Sequence, residues 1–388
     1  MFLRFFCLFF LTTSVFANSH SFEEFLDQVR TTATEQGVSK PTIDKAFFGL
    51  MPRPSAISSD KTQAEFEQNF WHYLNKRVSK VRLNNGKDTL KKNTSLLNKT
   101  SKKYGVPANV IVAFLGLESN YGNFMGSENL IRSLATLAYD QRRSKYFTRE
   151  LIAVLKLMDK KTIPFDATGS WAGAMGAVQF MPTNVIAFGV DANNDGKIDL
   201  WNEKADIYAS VANFLRKNGW KKGEKWGREA LIPKNFDYQL TGLNNEKTVN
   251  EWAALGVRRG NNSNLPTSSF PASLIVPMGY KGPAFLVYRN FNVIMDYNPS
   301  IKYALSVAYL SDRINGNAKL SAKTIDEPLL KKEDIMQIQN TLNLLGYDVG
   351  IPDGMVGPKT RQATRKFQSD IGLTADGYVG YELFQQLQ

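Results

Sequence analysis

The chain has 388 residues, with 48 Lys and Arg against 36 Asp and Glu and a formal charge of +12. That length accommodates two or three domains with proper cores, and the basic excess suits an acidic partner: nucleic acid, anionic lipid or an acidic polymer. Two histidines, His20 and His72, lack metal-ligand spacing, and no HExxH, cysteine cluster, phosphate-binding glycine loop or nucleic-acid module is present, which excludes those chemistries.

In chain order, MFLRFFCLFFLTTSVFA has an early Arg4, an apolar stretch from Phe5 to Leu11, and Val15 and Ala17 at the −3 and −1 places of a cleavage site. This pattern predicts a signal peptide of residues 1–17, with cleavage after Ala17. The apolar run is far short of the ~20 residues a spanning helix needs. The only cysteine, Cys7, lies inside this peptide and lacks a lipoprotein context, so a soluble, exported, thiol-free mature protein is expected in the periplasm.

From Ser21 to about Asn98 the pattern is helical and polar, with amphipathic pieces such as FEEFLDQVRTTATEQG and AEFEQNFWHYLNKRV. Pro107 then opens a strongly apolar helix, PANVIVAFLGL, that runs into Glu118-Ser-Asn-Tyr-Gly. Val110, Phe114 and Glu118 share one helical face, so a carboxyl extends an apolar stripe. Desolvation and the negative end of the helix dipole both disfavour an ionised carboxyl there. A carboxyl kept protonated near neutrality is what a general acid requires. A Glu that merely escapes to solvent at a helix end is the alternative, and the pattern alone does not choose.

Helical patterns recur at Ser133–Tyr139, Tyr146–Met158 and Ile207–Asn218. Between them lies GSWAGAMGAVQFMPT, residues 169–183, whose small side chains let backbone or ligand approach closely. Such stretches are more often tight helix packing than a ligand wall, although Trp171 offers a face suited to sugar rings. In DANNDGKIDLWNEKAD, Asp191, Asn193, Asp195, Gly196 and the Lys197 carbonyl match positions 1, 3, 5, 6 and 7 of an EF-hand loop. Position 12 is Asn202 rather than Glu, with Glu203 or Asp206 able to complete a calcium site. An Asn/Asp turn without metal is the alternative.

From about Gly219 to Pro277 short runs such as REALIP, FDYQL and SLIVPM alternate with Gly, Asn, Pro and Ser, which reads as a small β-containing insertion. A helix returns at Ser300–Arg313, and residues 315–328 are polar and aperiodic, a linker. The last 60 residues, 329–388, repeat DGMVGPKT and DGYVGYEL 23 residues apart between helical stretches, which fits a compact three-helix module. That module carries six basic and seven acidic residues, so the basic excess belongs to the larger domain, 18–314.

The order ESNYG (118–122), RRSKYF (142–147), GSWAGAMGAVQFMPT, the EF-hand-like loop followed by SVANFLRKNGW (210–220), and YNPS (297–300) resembles the lytic murein transglycosylase B family over residues 20–320. The tail resembles the small peptidoglycan-binding module found on many cell-wall enzymes. The resemblance implies a mainly α (α+β) fold: a lysozyme-like catalytic core with an N-terminal helical part, a small β-containing insertion and a C-terminal three-helix domain. It implies cleavage of the β-1,4 bond from N-acetylmuramic acid to N-acetylglucosamine, leaving 1,6-anhydromuramoyl ends. Glu118 matches the family's catalytic acid. Ser170, Gln179, Tyr297, Asn298 and Tyr303 match residues lining its sugar cleft, and Arg142 and Arg143 match residues that meet stem-peptide carboxylates. Asp191, Asn193, Asp195, Lys197 and Asp206 match a structural calcium site, and no organic cofactor is implied. The implied partners are glycan strands with their stem peptides, other cell-wall enzymes are candidates, and a monomer is expected. A lysozyme-type muramidase and a non-catalytic wall-binding scaffold are the competing readings.

Overall fold

Apolar periodicity dictates most of what is seen. A computed structural model describes residues 21–61 and 69–388, so the expected signal peptide lies outside the described residues. The first helix, Phe22–Glu35, starts with a reciprocal capping box between Ser21 and Glu24 and buries Leu26, Val29 and Ala33 at helical spacing. Helices Lys40–Phe47 and Pro54–Lys61 follow, then Phe70–Arg77, Lys80–Lys92 and Thr94–Tyr104. Lys80–Lys92 and Thr94–Tyr104, with Lys204–Lys217 and Ile301–Ile314, pack around Ala108–Ser119, which buries nine of its twelve residues, while Leu130–Tyr139 and Ser144–Asp159 pack on each other. A helix apolar all round belongs in the middle of a core. No helix among the described residues is long and apolar enough to cross a membrane.

Two small sheets interrupt the helices. The first is a ribbon of β1 (Glu128–Asn129) and β2 (Thr168–Gly169). The second contains β3 (Gly227–Leu231), β4 (Glu246–Thr248), β5 (Arg258–Arg259), β6 (Pro271–Ile275) and β7 (Ala284–Val287), in the antiparallel order β4-β6-β7-β3-β5. It buries its own apolar cluster around Trp252, whose indole N–H donates to the Ala272 carbonyl. The sheet reaches Val287, past the Pro277 limit expected from composition. The strand responsible, AFLV, is buried at all four residues and so shows no alternation. A further helix, Arg289–Tyr297, follows it directly and delivers Tyr297 and Asn298.

Residues 315–328 form no helix or strand. Leu320, Ala322 and Ile325 nevertheless pack against the main core, and the Glu229 carboxylate accepts the Ser321 and Ala322 N–H groups at 2.8 and 2.7 Å. Helices Lys332–Leu344, Pro358–Asp370 and Tyr381–Gln386 then enclose a separate core that includes Ile338, Leu342, Phe367 and Leu383. The two Asp-Gly turns do equivalent work in this module. Gln339 Oε1 accepts the Gly354 N–H, and Gln368 Oε1 accepts the Gly377 N–H, both at 2.8 Å. The module also touches the large sheet region, where the Asp376 carboxylate accepts the Tyr280 N–H and Lys281 pairs with Glu382.

Candidate active site

The Ala108–Ser119 helix ends in an abrupt exit. Asn120, Tyr121 and Gly122 all have positive φ, at 50°, 64° and 89°. Ser119, buried, ties this exit to the glycine-rich stretch: its Oγ donates to the Ala177 carbonyl at 2.6 Å and accepts the Gly122 N–H at 2.9 Å. Glu118 is therefore fixed at the last turn, half-buried, with Oε1 accepting a short hydrogen bond from the Tyr303 hydroxyl. Tyr303 comes from the first turn of Ile301–Ile314, 185 positions away. Burial first, and the nearby Glu118 charge second, push the Tyr303 phenol well above its ordinary value, so it stays protonated as a donor.

Tyr297 stacks nearly parallel to Tyr303, with rings 6.5 Å apart, and packs against Phe114, Phe180 and Phe214. Its hydroxyl donates to the Val178 carbonyl, beside Gln179. Burial and the Glu118 charge raise its phenol as well. Tyr73, buried in Phe70–Arg77, is close enough to bear on Tyr303, and sequence reasoning missed it because a lone aromatic in a helix has no distinguishing pattern. Asn298 is half-buried at the end of its helix, and its carbonyl accepts the Ser300 N–H at 2.7 Å.

The glycine-rich stretch is not a packed helix. It folds back on itself through bridges Gly169 to Met175 and Met175 to Phe180, with β2 held on β1. The fold-back depends on a missing side chain, since a Cβ on Gly169 would stand 2.3 Å from the Ala174 carbonyl oxygen, and the neighbouring segment packs on it as closely: a Cβ on Gly126 would stand 2.0 Å from the Gly169 carbonyl oxygen. Ser170 Oγ accepts the Ala172 and Ala174 N–H groups at 3.3 and 3.0 Å, leaving its own proton to donate. Gln179, at φ 51°, spends its amide N–H groups on the Met125 and Gly176 carbonyls, so its side-chain oxygen is the atom left for another partner. Arg142 and Arg143 lie on an exposed 3-10 turn, Gln141–Arg143, with the Arg143 guanidinium 4.9 Å from the Tyr146 ring centre.

A second carboxylate that the sequence did not single out is Glu150, fully buried in Ser144–Asp159. Its oxygens accept the Thr183 N–H and hydroxyl, both at 2.9 Å, and so anchor the far end of the glycine-rich stretch. In the EF-hand-like loop, Asp191 accepts the Asp195 and Gly196 N–H groups, Asn193 that of Asp195, and Asp195 that of Lys197. Asp206, buried, accepts the Ala192 and Asp199 N–H groups at 2.8 and 2.9 Å, bracing the loop through both oxygens. No three His, Cys, Asp or Glu side chains converge as a metal cage among the described residues. The oxygen donors themselves suit a hard cation. Such an ion would lean on Asn193 and the Lys197 carbonyl beside Asp191 and Asp195.

A carboxyl aimed from an apolar helix at a buried tyrosine, beside a folded-back glycine-rich wall, matches a described enzyme domain: residues 21–312 fit the transglycosylase SLT domain model. The chain belongs to that family. It is a lytic transglycosylase, and residues 331–387 match a putative peptidoglycan-binding domain. SltB3 from Pseudomonas aeruginosa, solved in complex with NAG-anhNAM-pentapeptide, is 40% identical and superposes with a TM-score of 0.91 over 95% of this chain and 99% of that one. Membrane-bound lytic murein transglycosylase B of Escherichia coli is 28% identical over 315 residues, 77% of this chain and 84% of the relative. The E. coli transglycosylase SLT35, solved in complex with calcium, is 28% identical with a TM-score of 0.65 over 78% of this chain and 94% of that one.

Proposed function

We propose that this transglycosylase cleaves the β-1,4 bond from N-acetylmuramic acid to N-acetylglucosamine in peptidoglycan, closing a 1,6-anhydro ring, with Glu118 as acid and then base. One observation carries this reading. Among the described residues, Glu118 is the carboxylate presented to the stacked pair Tyr303 and Tyr297, while the fully buried Glu150 and Asp206 are spent on the Thr183 N–H and hydroxyl and on the Ala192 and Asp199 N–H groups. Most glycosidases need two carboxylates; one suffices when the substrate supplies the nucleophile.

Protonated Glu118 gives its proton to the glycosidic oxygen, the bond from C1 to that oxygen breaks, and the N-acetylglucosamine 4-hydroxyl leaves. The 2-acetamido oxygen of the muramoyl residue holds the cationic C1. The Glu118 carboxylate then takes the C6 hydroxyl proton while O6 bonds to C1, so the proton count balances and no water enters. Tyr303 orients the carboxyl, Asn298 orients the acetamido group, and Ser170 and Gln179 line the sugar. Arg142 and Arg143 meet stem-peptide carboxylates as exposed cations. The 329–388 module holds the enzyme on the same polymer, in the periplasm after export.

Mass spectrometry of digested peptidoglycan tests this. Anhydromuramoyl products are expected, and products one water heavier would replace the reading with a lysozyme-type hydrolase. Calcium in the 191–197 turn would brace the wall behind Trp201, whose indole N–H donates to the Thr168 carbonyl. It has no part in the reaction. Calcium at 100-fold over its dissociation constant is expected to stabilise the fold by about 2.7 kcal/mol and so raise the thermal midpoint over chelator-treated protein; superimposable melting curves would remove the ion from the account.

A further inference from the structure

The exit of the acid helix carries a bulky residue where the backbone disfavours one. Tyr121 has φ 64°, a region in which an aromatic side chain is an outlier held only by its surroundings. Its hydroxyl donates to the Arg82 carbonyl at 2.7 Å, inside helix Lys80–Lys92. That placement uses a slot cut by two glycines. A Cβ on Gly86 would stand 2.5 Å from the Tyr121 hydroxyl and 2.6 Å from Ile314, and a Cβ on Gly116 would stand 2.6 Å from the same hydroxyl and 3.0 Å from Leu310. Gly86 belongs to Lys80–Lys92, Gly116 to Ala108–Ser119, and Leu310 and Ile314 to Ile301–Ile314. Three helices therefore meet around one phenol, and two of them carry Glu118 and Tyr303.

We propose that Tyr121 is a positioning residue for the Glu118–Tyr303 pair: its phenol sets the spacing of these three helices and fixes the helix exit from which Glu118 projects. Arg82 extends the linkage. Its guanidinium donates to the Lys76 and Arg77 carbonyls, at the end of the helix that holds Tyr73. The Tyr121 N–H also closes the acid helix on the Leu115 carbonyl at 2.9 Å. On the acid helix the slot residue Gly116 is two positions from Glu118, and on Ile301–Ile314 the slot meets Leu310 and Ile314 on the same rigid helix that carries Tyr303; small displacements passed along these helices are costly because reacting groups lose rate steeply with misplacement. The proposal rests on the acid role of Glu118.

The test compares purified full-length Tyr121→Phe and Gly86→Ala with wild type on soluble glycan fragments. Phe keeps the ring and loses only the hydroxyl. Ala at position 86 suits a helix better than Gly but evicts that hydroxyl. Both are expected to lower kcat about tenfold with KM within about twofold, the split that separates transition-state positioning from uniform binding. Trp252→Phe, which removes a buried indole bond in the large sheet, is the control for general destabilisation and is expected to keep wild-type kcat below its melting range. Wild-type kcat in both slot variants, or an equal loss in Trp252→Phe, overturns the positioning role. A Glu118→Gln protein that still cleaves overturns the acid assignment and the proposal with it; an inactive Glu118→Gln leaves the slot variants to decide.

Discussion

Glu118→Gln is expected to lose glycan cleavage by at least about 10³-fold while keeping its fold and its hold on peptidoglycan. Gln matches Glu in volume and keeps an oxygen that can accept the Tyr303 hydroxyl, so the tyrosine contact survives. What disappears is the transferable proton and, in the second half of the cycle, the basic oxygen. A residue acting twice loses both steps in one substitution. No neighbour replaces it: burial, the larger cause, still holds the Tyr303 and Tyr297 phenols well above their ordinary value once the Glu118 charge is gone, so neither serves as a base near neutrality. Glu150 is committed to Thr183. The thermal midpoint is expected to stay level or rise, because an ionisable group among aromatic rings is tolerated for function rather than stability. Residual anhydromuramoyl product above one part in about 10² of wild type would move the acid elsewhere.

Glu118 was legible as a candidate acid because its helix is so apolar that one carboxyl stands out, and the exit residues announce a stop. Its partners were legible only through resemblance, since Tyr303 lies 185 positions downstream and no local periodicity links the two. The slot for Tyr121 left no trace in sequence: Gly86 sits in a polar helix, where a glycine reads as a weak point rather than a seat for a phenol. The glycine-rich stretch was read towards helix packing because small residues serve both uses. Positive φ at Gly173, Gly176 and Gln179 decides for a folded-back loop. The AFLV strand was missed for a related reason, since four fully buried residues alternate no more in a strand than in a helix.

That loop supplies the other large effect. Gly126→Ala is expected to cost about 2–5 kcal/mol, combining the left-handed backbone penalty with overpacking. Gly126 has φ 85°, and its added Cβ would lie 2.0 Å from the Gly169 oxygen and 2.4 Å from the Ser170 nitrogen. Both are backbone atoms, so no rotamer change relieves the clash and one chain must move. The ribbon pairing Glu128 with Gly169 begins two residues later, and Gln179 holds the Met125 carbonyl one residue earlier. The displacement therefore reaches Ser170 and Gln179 together, and activity falls with stability. Gly37→Ala separates the two causes. Gly37 has φ 84° but nothing within 4 Å of the added carbon, so it bears only the backbone penalty of about 1–2 kcal/mol and keeps full activity. Denaturant midpoints and cleavage rates measured on both variants decide the matter. Equal losses at Gly126 and Gly37 would mean that backbone conformation alone is at stake and that the contact between the two glycine segments does not shape the cleft.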